Sequence, residues 1–417
     1  MTLKLFFTAL LFCICEAISA QITIEDCYAK ARTNYPLVKQ YGLIEKTKEY
    51  NLSNANKGYL PQLLLTAKAT YQSDVTQIPI DFPGIKGLSK NQYGVTLEIS
   101  QTLFDGGIIR SQKNSVKTTA AVEEKETEVS LYSLNERINQ LYFSILLMDE
   151  KLNLNNLLRE ELQRNYNQIS AYVQNGIAHS VDLDAIKVEQ LKLNQNEEQL
   201  THTRKAYLEM LSALLGENLS PNMKLQKPDA INQFVATPIT RPELDLFEAR
   251  LKSLDTREQE ITAGLLPKLG LFVTGGYGRP GLNMLDNDFA MYYAGGIRLT
   301  WNFRNLYTQR NNRGIIATNK NQIFAQRDAF LVNTNIDIAK HTNELNKIKA
   351  MIQYDDEIIR LQNSIKQSAQ AKVAGGTLSV TDLMKEINAE DRAKQDKVLH
   401  ETELMMTVYE LKFTTNH

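Results

Sequence analysis

The chain has 417 residues, of which 23% are charged, and a formal net charge of −1 at neutral pH, so its composition indicates neither a nucleic-acid surface nor a polybasic membrane patch. It contains only 10 prolines and 20 glycines, a low content that favours long helices over a loop-rich sandwich. Beyond the N-terminal segment the sequence has no apolar run of the roughly 18 residues that a transmembrane helix needs.

Residues 1–20 have the pattern of a secretory signal peptide. Lys4 provides the positive start, an apolar stretch follows, and Ala17 to Ala20 offer a small-residue cleavage site. We therefore expect the mature protein to be exported. Cys27 would be its one remaining cysteine, so we expect a structural thiol on a helix rather than an internal disulfide.

The sequence repeats itself. Gly58 to Leu63 recurs as Gly264 to Leu269, an offset of 206 residues, and Gly176 recurs as Gly376, an offset of 200. We predict two copies, residues 21–220 and 240–417, joined by a proline-containing linker over 221–239. Each copy is predicted to contain a helix, two strands, a very long helix, a turn and a shorter helix.

Each copy contains two stretches that alternate apolar and polar residues, the period-two pattern of a strand. They run from Leu63 to Tyr71, Tyr93 to Leu103, Leu269 to Tyr277 and Tyr293 to Phe303. The polar faces are marked by Lys68, Glu98, Arg298 and Arg304. Aromatic residues near the strand ends predict an interfacial aromatic girdle, and these are Tyr71, Tyr93, Tyr277, Tyr293 and Trp301.

Two proline-free stretches, from Ile108 to about Gln174 and from Tyr307 to about Ala374, follow the strand pairs. At 1.5 Å per residue each would form a helix on the order of 100 Å long. Apolar residues between Leu131 and Leu152 recur at alternating spacings of three and four, which is typical of a coiled-coil seam.

Four amphipathic strands cannot close a membrane barrel, because the smallest such barrels have about eight strands. Two copies of the chain would supply about eight strands and three copies about twelve, and only the larger barrel holds an aqueous bore. The polar strand faces favour a wet lumen and so a trimer. A soluble sheet of two hairpins packed on helices is the alternative.

Several of these features resemble the TolC-like outer membrane efflux family: both hairpins, the stretch from Leu103 to Gly107, the prolines before each hairpin and the two turns that contain Gly176 and Gly376. The resemblance spans nearly the whole mature chain. It implies a mostly α protein with a transmembrane β-barrel, in which a trimer forms a 12-stranded barrel and an α-helical periplasmic tunnel. The junction between barrel and helices would lie at Pro61, Pro267, Gly106 and Gly107.

The resemblance also implies partners: outer-membrane lipid, a periplasmic adaptor (a membrane fusion protein) and an inner-membrane pump of RND or ABC type. From the charge balance and the absence of motifs we expect no nucleic acid, cofactor or metal. The adaptor would dock on the tips of the helix reversals, at Gly176, Ser180, Gly376, Thr377 and Ser379. Glycine suits a helix reversal and serine can cap a helix start, so plain reversal chemistry is the alternative.

A periplasmic gate is implied at Asp182 and Asp382, which begin the returning helices, where a carboxylate also gains from the helix dipole. Three copies of Asp382 around one axis would form a negative ring. Lys385 stands where the family pattern leads us to expect a second carboxylate, and Leu378 replaces an arginine.

No catalytic constellation is evident, so we predict no enzyme. The five histidines lie far apart without a metalloprotease motif, and Gly276 to Gly281 has dinucleotide-type glycine spacing but precedes a loop-like sequence rather than a helix. The predicted function is an outer-membrane duct subunit that exports substrates received from a periplasmic adaptor and an inner-membrane pump. The alternative is a soluble periplasmic coiled-coil scaffold or adaptor.

Overall fold

The computed structural model describes residues 21–76, 87–229 and 238–416. The predicted signal peptide, part of the first hairpin turn and part of the predicted linker lie outside these residues. In chain order the elements are α1 (Ile24–Asn34), α2 (Lys39–Asn56), β1 (Gln62–Tyr71), β2 (Asn91–Phe104), α3 (Ile108–Tyr132), α4 (Leu134–Gln174), α5 (Ser180–Leu215), α6 (Pro242–Ala263), β3 (Lys268–Arg279), β4 (Ala290–Thr300), α7 (Arg304–Ala374) and α8 (Val380–Thr415).

The chain divides into two compact units. The first comprises Met1–Lys39, Thr127–Pro242 and Ala329–His417, and it contains both helix reversals. The second comprises Gln40–Glu126 and Glu243–Asp328, and it contains all four strands named above.

The sheet of the second unit is antiparallel throughout, in the order β1-β2-β3-β4. Gln62 pairs with Ser100 in the first hairpin, and Lys268 pairs with Thr300 in the second. The hairpins join through β2 and β3, where Tyr93 faces Arg279. Strands β1 and β4 therefore form the two edges of the sheet.

One predicted long helix is interrupted. The stretch from Ile108 to Gln174 forms α3 and α4, with a break at Ser133. The Ser133 amide still donates to the Val129 carbonyl at 3.1 Å, but its hydroxyl donates to the Ser130 carbonyl at 2.8 Å. Such a side-chain bond competes with the helical ladder. Helix α7 is continuous over 71 residues.

The prediction that the last strand reaches Phe303 is wrong. Strand β4 ends at Thr300, and Arg304 begins α7 rather than lying on the polar strand face. The Asn302 side chain accepts a hydrogen bond from the Arg304 amide at 3.1 Å. A local bond of this kind favours a turn over continued strand.

Helix α1 of the first unit buries Ile24, Cys27 and Ala31, and Thr23 and Asp26 start it with a reciprocal capping box. Tyr142 of α4 is fully buried and donates to the carbonyls of Ile22 at 2.8 Å and Gln226 at 2.7 Å. These bonds fasten the segments before α1 and after α5 to α4. Cys27 is also buried, and burial raises the pKa of its thiol to about 12, so this cysteine is a packing residue.

The link from β2 to α3 is built by Asp105 and two glycines with positive φ. Asp105 is buried and its carboxylate accepts from the Gly107 amide at 2.8 Å and the Ile109 amide at 2.6 Å. A Cβ on Gly106 (φ 73°) would lie 2.8 Å from the Ala263 carbonyl oxygen, whereas Gly107 (φ 88°) faces open space. Gly106 is thus required by both conformation and close approach.

No helix within the described ranges is both long enough and apolar enough to cross a membrane.

Candidate functional site: two helix reversals and an exposed sheet

The first helix reversal joins α4 to α5 through residues 175–179. Gly176 adopts φ 72°, its amide donates to the Val173 carbonyl at 3.0 Å, and the Ile177 amide donates to the Tyr172 carbonyl at 2.8 Å. This pair of bonds is a Schellman closure, which satisfies the last carbonyls of α4 and requires a left-handed residue.

The second reversal, between α7 and α8, repeats this geometry. Gly376 also has φ 72° and donates to the Val373 carbonyl at 3.0 Å, while the Thr377 amide donates to the Lys372 carbonyl at 2.9 Å. Nothing lies within 4 Å of a Cβ built on either glycine. The glycines are therefore needed for backbone conformation, and the space around them is open.

Each returning helix starts with an aspartate at its third position. The Ser379 hydroxyl accepts from the Asp382 amide at 3.0 Å and donates to its carboxylate at 2.7 Å, as expected of a cap. In the first reversal the cap position falls on His179, whose amide donates to the Asp182 carboxylate at 3.0 Å. The expectation that Ser180 caps α5 is wrong, because Ser180 is already inside the helix.

The Asp382 carboxylate has a second hydrogen-bond partner. Its carboxylate accepts from the Lys385 ammonium at 2.8 Å. This bond, with the Ser379 hydroxyl bond, lowers the pKa of Asp382, and the carboxylate in turn raises the pKa of Lys385. Both side chains remain substantially exposed, so solvent screens the pair. The charge of Asp382 is therefore partly offset within its own chain.

The helices of both reversals share one apolar core. Its buried members come from α4, α5, α7 and α8, and include Leu162, Ile169, Ile186, Leu383 and Ile387. Leu378, at the position of the expected arginine, packs against this core. An apolar residue there extends the core of the reversals.

A buried charge network crosses three of these helices. The Lys366 ammonium of α7 contacts Glu161 of α4 at 2.7 Å and Glu390 of α8 at 2.5 Å, and Lys394 contacts Glu390 at 2.9 Å. Burial alone would lower the pKa of Lys366 and raise that of Glu390. The hydrogen bonds outweigh burial, so the pKa of Lys366 is raised and that of Glu390 is lowered.

The exposed sheet is the second candidate. Odd-numbered residues of all four strands share one face. Its large apolar side chains are 40–86% exposed: Leu63, Leu65, Tyr71, Tyr93, Val95, Leu97, Ile99, Leu271, Val273, Tyr277, Met291, Tyr293, Ile297 and Leu299. The opposite face carries Lys68, Glu98 and Arg298, and the last two form an ion pair at 2.7 Å.

The predicted aromatic residues fall into two groups. Tyr71, Tyr93, Tyr277 and Tyr293 lie on the apolar face, towards the hairpin-turn end of the sheet. Trp301 follows β4 at the opposite end, where its indole donates to the Leu265 carbonyl at 3.0 Å. Pro61 and Pro267 each precede the first strand of a hairpin.

Comparison with known proteins agrees with this architecture. Residues 27–217 match the family model described as outer membrane efflux protein. The fold matches the CusC channel with TM-score 0.72 at 13% identity over 95% of this chain and 92% of that chain. It also matches the outer-membrane channel OprN with TM-score 0.69 at 15% identity over 94% and 89% of the two chains.

The open state of the MtrE outer membrane channel of Neisseria gonorrhoeae matches with TM-score 0.66 at 14% identity, over 94% of this chain and 88% of that chain. No curated protein matches the sequence. Residues 27–217 therefore belong to the outer membrane efflux protein family, and nearly the whole chain shares the fold of these outer-membrane channels. In the part of the chain that the structure describes, no group of three metal-binding side chains occurs.

Sequence reasoning missed the Lys366 network and the His179 cap. The cap had a signal, since His179 stands 200 residues before Ser379, the same offset that relates Gly176 to Gly376. The network had none, because charged residues on long helices are ordinarily solvated.

Lys366→Met should lower the free energy of unfolding by about 3 kcal/mol, because it leaves Glu161 and Glu390 buried without their shared cation. The lysine and Glu390 side chains are only 10% and 5% exposed. Thermal unfolding in detergent, followed by circular dichroism, measures the loss. Lys385→Met, which breaks an exposed pair, is the control and should change little.

The same network sets a pH dependence. The pKa of Glu390 in the folded protein is lowered from 4.5. Its contribution to the free energy of unfolding is therefore present above pH 4.5 and is lost as the pH falls through the folded pKa. The raised pKa of Lys366 keeps its contribution intact below 10.5. The wild-type protein should therefore lose its greater stability over Lys366→Met in acid. Equal stability of the two proteins at neutral pH would contradict a stabilising role for the Lys366 network.

Proposed function

We propose that three copies of this chain form a membrane-inserted duct that exports substrates across the outer membrane. The single observation that carries the proposal is the exposed apolar face of the four-stranded sheet. Fourteen large apolar side chains on one continuous face exceed what a soluble monomer ordinarily leaves in water. Lipid contact would remove this area from water at about 25 cal/mol per Å².

The sheet edges support oligomerisation. Among the residues that the structure describes, β1 and β4 each have one neighbouring strand, so each leaves backbone donors and acceptors unpaired along one side. In hydrocarbon every such group needs a partner, and antiparallel closure with further copies supplies it. Three copies give about twelve strands, enough for an aqueous bore lined by the polar face.

The alternative, a soluble periplasmic coiled-coil scaffold, fits this face less well. A scaffold would have to cover the apolar side of the sheet with another soluble surface, and the residues of the second unit that the structure describes provide none over it. Sarkosyl extraction separates the two proposals, since a duct stays in the outer-membrane fraction and a scaffold is released.

Native mass measurement of the purified protein in detergent should give three chains, because four strands per chain cannot close alone. Planar-bilayer recording of the same sample should then detect conducting channels. A stable monomer, or a dimer that retains all strand content, would contradict the trimeric duct.

The helix reversals are proposed to dock a periplasmic adaptor, which would couple the duct to an inner-membrane pump. Their support is the open space around Gly176 and Gly376 and the exposure of Ile177, Thr377 and Ser379. A surface free of close neighbours allows another helix to approach.

Gly376→Trp should abolish cross-linking to a co-expressed adaptor, because the indole fills this open space, while trimer abundance in membranes stays near wild type. Gly376→Ala is the matched control, since it carries the same positive-φ strain of about 1 kcal/mol with little added bulk. Gly176→Trp tests the other turn. Docking is excluded as the role of these turns if both tryptophan variants cross-link normally.

Asp382 is proposed to form a negative ring at the mouth of the trimer, weakened by Lys385. The 2.8 Å contact between the two supports partial neutralisation, so the duct should prefer cations only mildly. Because the pKa of Asp382 is lowered, its carboxylate stays charged at pH values below its ordinary pKa.

Asp382→Ala should reduce cation preference, and Lys385→Asp should increase it and add sensitivity to divalent cations, because it frees one carboxylate and supplies a second. Reversal potentials in a salt gradient measure both changes. Unchanged reversal potentials in both variants would leave Asp382 as a helix-cap residue only.

A further inference from the structure

We infer that the loop between β3 and β4 is a lipid anchor, whose exposed side chains Leu282, Met284 and Leu285 bind the acyl chains of the membrane around the duct. The loop comprises residues 280–289. This inference rests on the proposed duct and deepens it, since it adds a lipid-binding element outside the strands. The three apolar residues are called the loop tip below.

The loop tip exposes large apolar side chains. Leu282, Met284 and Leu285 are 65%, 64% and 59% exposed. A single exposed apolar residue is normal on a soluble surface, but a group of neighbouring ones marks a site of interaction. The tip therefore calls for an apolar partner.

The polar side chains of the loop bond the loop's own backbone. The Asn283 side chain accepts from the Leu285 amide, and the Asp286 carboxylate accepts from the Asp288 amide, each at 3.1 Å. The Asp286 amide donates to the Asn283 carbonyl at 3.3 Å. In water, solvent satisfies such amides, whereas next to hydrocarbon each one needs a protein partner. The internal bonding therefore suits a loop that contacts lipid.

The base of the loop is fastened to both hairpins. The Asn287 side chain accepts from the Ser89 amide at 2.8 Å, and the Asn287 carbonyl accepts from the Arg279 guanidinium at 2.9 Å. Ser89 lies just before β2 and Arg279 ends β3. The loop is thus partly ordered before any partner binds, which lowers the entropy cost of binding.

The loop continues the apolar face of the sheet. Phe289 stacks on Tyr277 with the ring centroids 5.5 Å apart, and its ring lies 6.5 Å from that of Tyr93. Both tyrosines belong to the apolar face, as does Met291, which is 86% exposed. The arm of the loop that leads into β4 therefore lies on the side that the proposed duct turns to lipid. This continuity favours lipid over a partner in the bore.

Two carboxylates limit the depth of the contact. Asp286 and Asp288 are both exposed on the same loop, and charged groups are excluded from the centre of a bilayer. An interfacial amphipathic helix buries its apolar side about 5–10 Å into the boundary between head groups and acyl chains. We expect the loop tip at the same depth, with the two carboxylates among the head groups.

The experiment is fluorescence quenching of a single tryptophan in the full chain. Trp301 is the native tryptophan, and Trp301→Phe removes it. Leu282→Trp and Leu285→Trp, each in that background, then place one reporter in the loop tip. Each protein is reconstituted in phosphatidylcholine vesicles, either with brominated acyl chains or with iodide in the water on both sides of the membrane.

Ile177→Trp in the same background is the matched control. Ile177 is apolar and 59% exposed, as Leu285 is, but it lies in the first helix reversal and not beside the sheet. Both loop reporters should emit at shorter wavelength, lose most of their intensity to brominated chains and resist iodide. The Ile177→Trp reporter should lose most of its intensity to iodide and little to brominated chains.

A second reporter covers the case in which a tryptophan disturbs the loop. Met284→Cys is labelled after purification with a polarity-sensitive bimane and tested with the same two quenchers. Cys27 does not interfere, because it is buried and its thiol has a raised pKa. The bimane should respond as the loop tryptophans do.

Quenching of the loop reporters by iodide and not by brominated chains, in samples that have trimeric mass and conduct, would overturn the anchor and leave the duct intact. Protection from both quenchers would also overturn it. The tips of three copies would then cover the bore, and Met284→Ser with Leu285→Ser should raise conductance. A wild-type protein that forms no trimer and conducts no current would instead refute the duct.

Discussion

The structure depends on how an incomplete sheet satisfies its backbone. Four antiparallel strands pair with one another along three seams, and no strand in the described ranges pairs with the outer side of β1 or β4. One face of the same sheet is apolar and exposed. Hydrocarbon is the environment that suits these side chains, but it is also the environment in which unpaired backbone amides cost the most free energy. In the proposed duct these two facts make pairing at both sheet edges a condition of membrane insertion.

The helix reversals solve a different backbone problem. A helix ends with four carbonyls that lack intrahelical partners, and the helix that follows begins with free amides. Gly176 and Gly376 satisfy part of the first set through left-handed closures. At the helix starts, the Asp182 carboxylate accepts from the His179 amide and the Ser379 hydroxyl accepts from the Asp382 amide. Both aspartates therefore have a structural role at a helix start. A gate built on Asp382 would use a carboxylate that already bonds the Ser379 hydroxyl and the Lys385 ammonium.

Period and spacing were sufficient to predict the elements whose formation depends on repeated side-chain patterns. The alternation from Leu63 to Tyr71 and from Leu269 to Tyr277 predicted β1 and β3 within about one or two residues of their ends, and the glycine at each reversal predicted the turn. What pattern could not supply depends on single polar contacts. The Ser133 hydroxyl bond that separates α3 from α4 and the Asn302 bond that ends β4 each involve one side chain with no periodic signature.

Residues at matching positions of the two repeats need not be chemically alike, and in the sheet this difference allows an ion pair to form. Glu98 and Arg298 are 200 residues apart, occupy matching positions on β2 and β4, and carry opposite charges that pair across β3. A ring built from identical single hairpins would place the same charge at every such position and would repel itself. Two unlike hairpins in one chain allow the polar face to be neutralised locally, with Phe272 supporting the arginine from below. The same asymmetry gives the two edges of the sheet, β1 and β4, different side chains.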